Sequence, residues 1–447
     1  MTQRADTIFA RASGAGRAGV AVFRLSGPEA FAIGERLCGT LPPPRRAALR
    51  TLRAPDGEIV DTGLALAFRG PASFTGEDVV ELHLHGSRAV EAALYEALAA
   101  LGARPAEAGE FARRALENGR LDLAQAEALA DLIDAETSEQ RRQALGQLGG
   151  RLSALAEGWR ARLIAILAPL EADIDFPDEE DVPAAVAARA GPAIDALMAE
   201  LRSYQADAAR LRAIRSGVAI AILGAPNAGK SSLLNRLAGS DAAIVSPTPG
   251  TTRDVIEVRL DLGGLPALLA DTAGLRAMTE DEIEAEGMRR ALARAENADI
   301  RILVADAAAG AAGAADAAGL LRPGDFLVWN KTDLAPAPAR EPPEGVQAFA
   351  LSAKTGEGIG EFIRILTDAA RARFRPVHET GLTRLRHARA VAEALDALAR
   401  ARGRIDAAPE LAAEDARLAA RALGRITGAV DVEDVLDEIF SSFCIGK

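Results

Sequence analysis

Gly224-Ala225-Pro226-Asn227-Ala228-Gly229-Lys230-Ser231 lies between an apolar run, Val218-Ala219-Ile220-Ala221-Ile222-Leu223, and a helical pattern over 231–238. A phosphate-cradling glycine-rich loop requires this strand–loop–helix context. Backbone N–H groups of such a loop wrap the β-phosphate, and the start of the following helix adds positive potential. Lys230 reaches the β- and γ-phosphates, and the Ser231 hydroxyl is placed to ligate Mg2+. Asn227, Ala228, Gly229 and Ser232 complete the expected nucleotide contacts of this loop.

Further along, three strand-end motifs specify the base and the γ-phosphate. Asp271-Thr272-Ala273-Gly274 ends the apolar run 265–270, where a Mg2+-linked Asp and a γ-phosphate-sensing Gly N–H belong. Asn330-Lys331-Thr332-Asp333 ends the run Phe326-Leu327-Val328-Trp329. The Asp333 carboxylate accepts both N1–H and N2–H of guanine, whereas adenine offers no such donor pair. Ser352-Ala353-Lys354 follows the strand 346–351 and meets the base O6 through backbone N–H. Any one of these motifs also reads as a polar turn after a strand. All of them in this order read as a guanine-nucleotide domain.

Composition bounds the rest. The 447 residues predict two or three domains. Hydrophobic residues make up 49% and aromatic residues only 4%, so the cores must be built mainly from Ala, Leu, Ile and Val. That favours closely packed helices over aromatic-rich β-sandwiches. The formal charge of −12 gives no general attraction to nucleic acid, so RNA contact needs a local basic patch or a basic partner. Two cysteines, Cys38 and Cys444, are too few for a disulfide framework. With no signal-peptide core at the start and no apolar run of membrane-spanning length, a cytoplasmic protein is expected.

Three compositions follow one another. Residues 1–118 mix strand-like runs (19–25 and 79–84) with Gly/Pro turns and a helix near 89–101, an α+β domain. Residues 119–215 carry helical spacing at Leu121, Ala124, Ala128 and Leu132, and again at Leu152, Leu155, Trp159, Leu163 and Leu167. The acidic stretch 173–181 reads as a solvated turn between helices, rich in capping carboxylates, ahead of the alternative of a metal site. Residues 216–376 alternate strand and helix, as a doubly wound α/β nucleotide domain does. Residues 377–447 return to helical composition over 388–401, 411–423 and 430–440. The simplest architecture inserts the nucleotide domain into one all-α domain built from both flanks.

The loop Ser246-Pro247-Thr248-Pro249-Gly250-Thr251-Thr252-Arg253-Asp254 lies where a switch loop reaches Mg2+ and the γ-phosphate, with Thr252 as the Mg2+ ligand. Leu275 follows Gly274 where many GTPases place a water-orienting Gln, so another water-positioner is needed. Carboxylates within 279–287 are candidates, and each reads equally as a solvated helix-start charge. No arginine finger is evident. A cation held partly by the Asn227 amide is one source of charge stabilisation; simple tightening of the loop by Asn227 is the other reading.

The chain resembles the bacterial and organellar tRNA uridine-5-carboxymethylaminomethyl modification GTPases, the MnmE/TrmE family. Four stretches carry the resemblance: 224–231 with Asn227, Gly250-Thr251-Thr252-Arg253-Asp254, Arg120-Leu121-Asp122-Leu123-Ala124-Gln125-Ala126-Glu127, and the terminal Phe443-Cys444-Ile445-Gly446-Lys447. It spans the whole chain. It implies a homodimer formed through an N-terminal domain that resembles folate-binding aminomethyl-transfer domains. It also implies an FAD-dependent partner, and modification at C5 of the wobble uridine of certain tRNAs with a tetrahydrofolate one-carbon unit and glycine or ammonium. Hydrolysis of GTP is implied to be stimulated by K+-dependent pairing of nucleotide domains. Carried over by motif, K+ falls to Asn227, Ser246, Thr248 and Thr251, and Mg2+ to Ser231 and Thr252. The catalytic Glu falls on Glu284, three residues before Gly287. Folate contacts fall on Arg24, Glu81, Arg120 and Lys447, with Arg120 where the family often has Lys, and Cys444 is a candidate catalytic residue.

Each carried-over position also has a plain reading. Arg24 reads as a strand surface charge, Glu81 as the polar face of a half-buried strand, and Cys444 as a helix-end residue. His83 and His85 alternate as strand neighbours do, rather than as a metal pair. A ribosome-assembly GTPase shares the nucleotide motifs, but usually appends a basic RNA-binding module or a second nucleotide domain, and this sequence has neither.

Overall fold

The computed structural model describes residues 6–175, 185–244, 257–271, 296–310, 318–339 and 341–430, together with Leu436, Ile439, Phe440, Phe443 and Gly446. The chain divides into two compact units. The first comprises Met1–Ala130, Gln147–Leu167 and Ala416–Lys447; the second comprises Asp131–Gly146 and Ala168–Asp415.

The first unit is organised by a six-stranded sheet built from β1 (Ile8–Arg11), β2 (Ala18–Ser26), β3 (Ala48–Arg53), β4 (Ile59–Phe68), β5 (Val79–Gly86) and β6 (Arg104–Pro105), in the order β3-β4-β5-β2-β1-β6. All neighbours are antiparallel except β1 and β6. Period-two alternation sends Ala21, Phe23 and Leu25 of β2, with Leu82 and Leu84 of β5, into the core beneath α1 (Ala30–Cys38) and α2 (Arg88–Ala100). Ser87 caps α2 by accepting from the Val90 N–H. The opposite face is covered differently. Ile8 and Ala10 pack there with Phe111 of α3 (Glu110–Glu117) and with Phe74 of the 69–78 loop.

Beyond this sheet comes α4 (Leu123–Ile133). Its entry is a reciprocal cap: Asp122 accepts from the Gln125 N–H at 2.8 Å, and Gln125 accepts from the Asp122 N–H at 3.0 Å. Then follow α5 (Ser138–Leu148), α6 (Arg151–Asp175) and α7 (Ala185–Ser216). Asp173 to Asp175, read from the sequence as part of a turn, instead continue α6; the rest of that acidic stretch lies outside the described residues.

The second unit contains the other sheet: β7 (Val218–Leu223), β8 (Glu257–Leu262), β9 (Leu265–Asp271), β10 (Ile300–Asp306), β11 (Phe326–Asn330) and β12 (Gln347–Ala350). Their order is β12-β11-β10-β7-β9-β8, parallel throughout except for β8. Its inner strands are nearly continuous apolar runs, broken in β10 by Arg301, which is buried and paired with Asp325, as in a sheet covered on both faces. The helices α8 (Lys230–Ala238) and α9 (Ile359–Phe374) supply Leu233, Leu234, Leu237, Phe362 and Leu366 to one core layer. After the sheet, α10 (Leu385–Arg404) returns to pack along α7, and α11 (Pro409–Thr427) follows. Buried Asp207 on α7 accepts the N–H groups of Val377 and His378, both at 2.9 Å, fixing the chain where it leaves the sheet.

Candidate functional site

In the second sheet, β9 and β10 flank β7 on opposite sides, so strand order reverses at β7. Open parallel sheets bind ligands at such a reversal, outside the carboxyl ends of the strands. The sequence motifs converge there. The phosphate loop leaves β7 after Leu223, and the registers place Asp271 opposite Ile222 and Asp306 opposite Asn330.

The loop's glycines are dictated by close approach. A Cβ on Gly224 would collide with the Val304 carbonyl oxygen, and one on Gly229 with the Asn330 amide nitrogen; both have positive φ. Asn227 holds the left-handed conformation at φ 61°, which Asn tolerates better than most residues. Lys230 is buried, and its ammonium donates to the carbonyls of Gly224 (2.8 Å) and Ala225 (2.9 Å), folding the side chain back beneath the loop. Ser231 and Ser232 are exposed in the first turn of α8.

Asn330 joins two loops. Buried, it donates from Nδ2 to Ala228 O and accepts at Oδ1 from the Ala353 N–H, both at 2.9 Å. Ser352, fully buried, donates to Asp333 Oδ1 at 2.6 Å and accepts from the Thr355 N–H, so the carboxylate is held by the loop it faces. Lys331 takes positive φ (66°) and pairs with Asp306 at 2.7 Å. That hydrogen bond holds the Asp306 carboxyl below the usual carboxylate range. Asn330, Lys331, Asp333 and Ala353, with Gly229, Lys354 and the α8 face Ser232, Asn235 and Arg236, border a cavity of about 570 Å3. Its size falls within the ~300–1,000 Å3 of small-molecule sites. Sequence reasoning missed Arg236 and Asp306. The only signal for Arg236 is its place on one helical face with Ser232 and Asn235. Ser246, Thr248, Thr251, Thr252, Thr272, Ala273, Gly274 and Glu284 lie outside the described residues.

The first unit carries a second constellation. Arg24 and Glu81 are direct cross-strand partners and pair at 2.8 Å on the face away from the main core. The Arg24 guanidinium lies 4.9 Å from the Phe74 ring centre and 5.7 Å from that of Phe111. This is a half-buried cation walled by two aromatic rings. Phe74 is placed by a polar network: Ser26 hydrogen-bonds Thr75 and Glu77, both at 2.6 Å, and Arg114 bridges Glu77 (3.2 Å) to Asp6 (2.8 Å) and Glu110 (3.1 Å). Arg104 closes it against Asp6 and Glu110. Burial pushes the Asp6 and Glu110 carboxyls up, and the arginine hydrogen bonds outweigh it, leaving both below the usual range.

Arg120 is exposed and flanks Gly76 of the same loop; a Cβ on Gly76 would stand 3.2 Å from Arg120 Cγ. The end of the chain arrives at this sheet as well. Phe440 and Phe443 join a cluster with Ala112 and Leu123, and Gly446 lies so close to Arg11 that a Cβ would strike its carbonyl oxygen. Arg11 pairs in register with Phe23, next to Arg24. Cys444 and Lys447 lie outside the described residues.

Two family models match, the GTP-binding protein TrmE N-terminus over residues 7–120 and the MnmE helical domain over 123–444. The chain is 52% identical to the tRNA modification GTPase MnmE of Maricaulis maris, covering 99% of each protein. It is 54% identical to those of Parvibaculum lavamentivorans and Caulobacter vibrioides, over 99% of this chain and the whole of each relative. Among the described residues no helix is long and apolar enough to cross a membrane. A guanine-type nucleotide site, a second constellation in the N-terminal sheet and relatives aligned from end to end lead to one conclusion: the chain belongs to the MnmE family of tRNA modification GTPases.

Proposed function

We propose that this chain couples hydrolysis of GTP to addition of an aminomethyl or carboxymethylaminomethyl group at C5 of the wobble uridine of tRNA. It acts in the cytoplasm as a homodimer with an FAD-dependent partner that supplies the flavin. In this reading residues 1–118 form a folate-binding-like and dimerising domain. Residues 119–215 and 377–447 form one helical domain, and the GTPase domain at 216–376 is inserted between them.

The observation that carries the nucleotide half is the Asn330 bridge. It locks the phosphate loop and the 353–354 loop together around a cavity bordered by Asp333. Asp333 accepts the guanine N1–H and N2–H, and Ser352 fixes its angle. Lys230 and the loop N–H groups bind the phosphates. Ser231, exposed at the first turn of α8, fits a hard-cation ligand, and with Thr252 and Asp271 it would hold Mg2+. Asn227, exposed at the loop's outer edge, would hold K+ with Ser246, Thr248 and Thr251. A bound K+ supplies positive charge beside the phosphates, the part an arginine finger plays elsewhere. Glu284 orients the attacking water.

The one-carbon half rests on Arg24 and Glu81 between Phe74 and Phe111. A pterin ring presents donors that a carboxylate pairs, and its glutamate tail attracts cations such as Arg120 and Lys447. The position of Gly446 beside Arg11 supports a tail that delivers Cys444 and Lys447 toward this face. The test is a tetrahydrofolate-dependent tRNA modification assay with the co-purifying FAD protein. The reading predicts modified wobble uridine only when GTP, folate and both proteins are present. Modification that proceeds equally without folate would overturn the one-carbon half.

A further inference from the structure

Outside the motifs, one side chain grips the loop that faces the base. Arg236 stands on α8 and reaches across to the 353–354 loop. Its Nε donates to Ala353 O at 3.2 Å and its Nη2 to Lys354 O at 2.7 Å. The same side chain lies against Gly356, where a Cβ would sit 3.6 Å from the guanidinium carbon. Arg236, Ala353, Lys354, Asn330 and Asp333 all border the one cavity.

The hydrogen-bond pattern of this loop makes the grip consequential. The Ala353 N–H is engaged by Asn330 Oδ1 at 2.9 Å, and the Thr355 N–H donates to Ser352 Oγ at 3.2 Å. Between them stands the Lys354 N–H, and it shares its peptide plane with the Ala353 carbonyl that Arg236 holds. A charged donor on that carbonyl fixes the plane and polarises its N–H, since hydrogen bonds in series strengthen one another.

We propose that Arg236 is a positioning residue for guanine specificity, orienting the 353–354 peptide so that the Lys354 N–H meets the base O6. This rests on the guanine reading of the site, in which Asp333 takes N1–H and N2–H. The two sets of contacts address different atoms of one base, so they separate by analogue. IDP lacks only the N2 amino group. 6-Thioguanosine diphosphate keeps both Asp333 donors and replaces only O6.

The experiment measures the affinities of GDP, IDP and 6-thioguanosine diphosphate by competition titration of the full-length protein and of R236A and R236M. Only the orientation of the O6 donor is lost, and not the donor itself, so the GDP to 6-thio-GDP preference should fall about threefold to tenfold in both variants, tenfold being ~1.4 kcal/mol, with the GDP to IDP preference unchanged. Equal weakening of all three nucleotides, or an unchanged 6-thio preference, overturns the proposal. The underlying base reading is tested separately in the unsubstituted protein, where absence of any GDP over IDP preference would remove it. Melting temperatures within about 2 °C of the parent protein show that the two variants are folded.

Discussion

The two sites of this chain are built on opposite plans. The nucleotide site hangs on a parallel sheet, whose functional loops all leave from the carboxyl ends of its strands. Each loop is a short contiguous motif, so 224–231, 330–333 and 352–354 carry their chemistry locally. The N-terminal constellation is set into a mostly antiparallel sheet. There the chemistry lies across strands, one residue from each: Arg24 faces Glu81 only because β2 and β5 run in that register. A one-residue slip of either strand would turn its member of the pair into the main core and part the two. A parallel sheet therefore announces its site in sequence, whereas an antiparallel sheet announces its site only once the register is known.

If the plans are independent, damage to one site should leave the other working. The largest effect is expected at Glu284, the proposed water-positioning residue. Glu284→Ala should lower kcat for GTP hydrolysis about 100-fold or more with GTP affinity nearly intact, the scale of losing a general base. Steady-state kinetics beside nucleotide titration checks this, with Glu282→Ala as the neighbour expected to do little. Next comes the N-terminal pair. On the proposed reading Arg24→Ala removes the charged partner offered to folate, and it strands Glu81, so binding of formyl-tetrahydrofolate should weaken about 10- to 100-fold by calorimetry. GTP hydrolysis by the same variant should not change.

A smaller effect sharpens the nucleotide side. Hydrolysis should run severalfold faster in K+ than in Na+ at matched ionic strength, and Asn227→Ala should abolish that preference. Equal rates in both salts for the unsubstituted protein would remove the cation from the account.

The smallest effect is acid sensitivity confined to the N-terminal sheet. Asp6 and Glu110 titrate below their ordinary values of 3.8 and 4.5 in the folded chain. Their contribution is full above those values and is lost as pH falls through the lower folded ones. Hydrogen exchange of the full chain, corrected for intrinsic rates, should show segments 6–11 and 104–117 loosening as pH drops below about 4. Glu110→Gln should flatten that dependence.

Much of the framework of the candidate nucleotide site is legible in the sequence because its loops follow strands that alternate with helices. The strand 218–223 and the turns at 330 and 352 stand where periodicity puts them; the run 346–351 narrows to β12 at Gln347–Ala350. Contacts that cross the fold were not legible. Asp306 and Lys331 are 25 residues apart, and Arg236 meets carbonyls 117 and 118 residues away. Nothing in their local sequence marks them as partners. In the N-terminal sheet even the walls were hidden. Nothing in the local sequence marks Phe74 or Phe111, and both stand beside Arg24 in the fold, next to the Ser26–Thr75–Glu77–Arg114 network. The resemblance to a known family supplied Arg24 and Glu81, and the register supplied the reason they meet.

On the proposed reading two chemically separate sites share one chain, and the terminal tail serves the second. Gly446 lies against Arg11, one register position from Arg24, while the nucleotide site stands on the other sheet. The most direct test deletes Cys444–Lys447 and measures wobble-uridine modification and K+-stimulated GTP hydrolysis on the same preparation. Modification should be abolished with hydrolysis kept within about twofold of the full-length protein. Retained modification, or loss of both activities in a protein that still folds, would contradict the account.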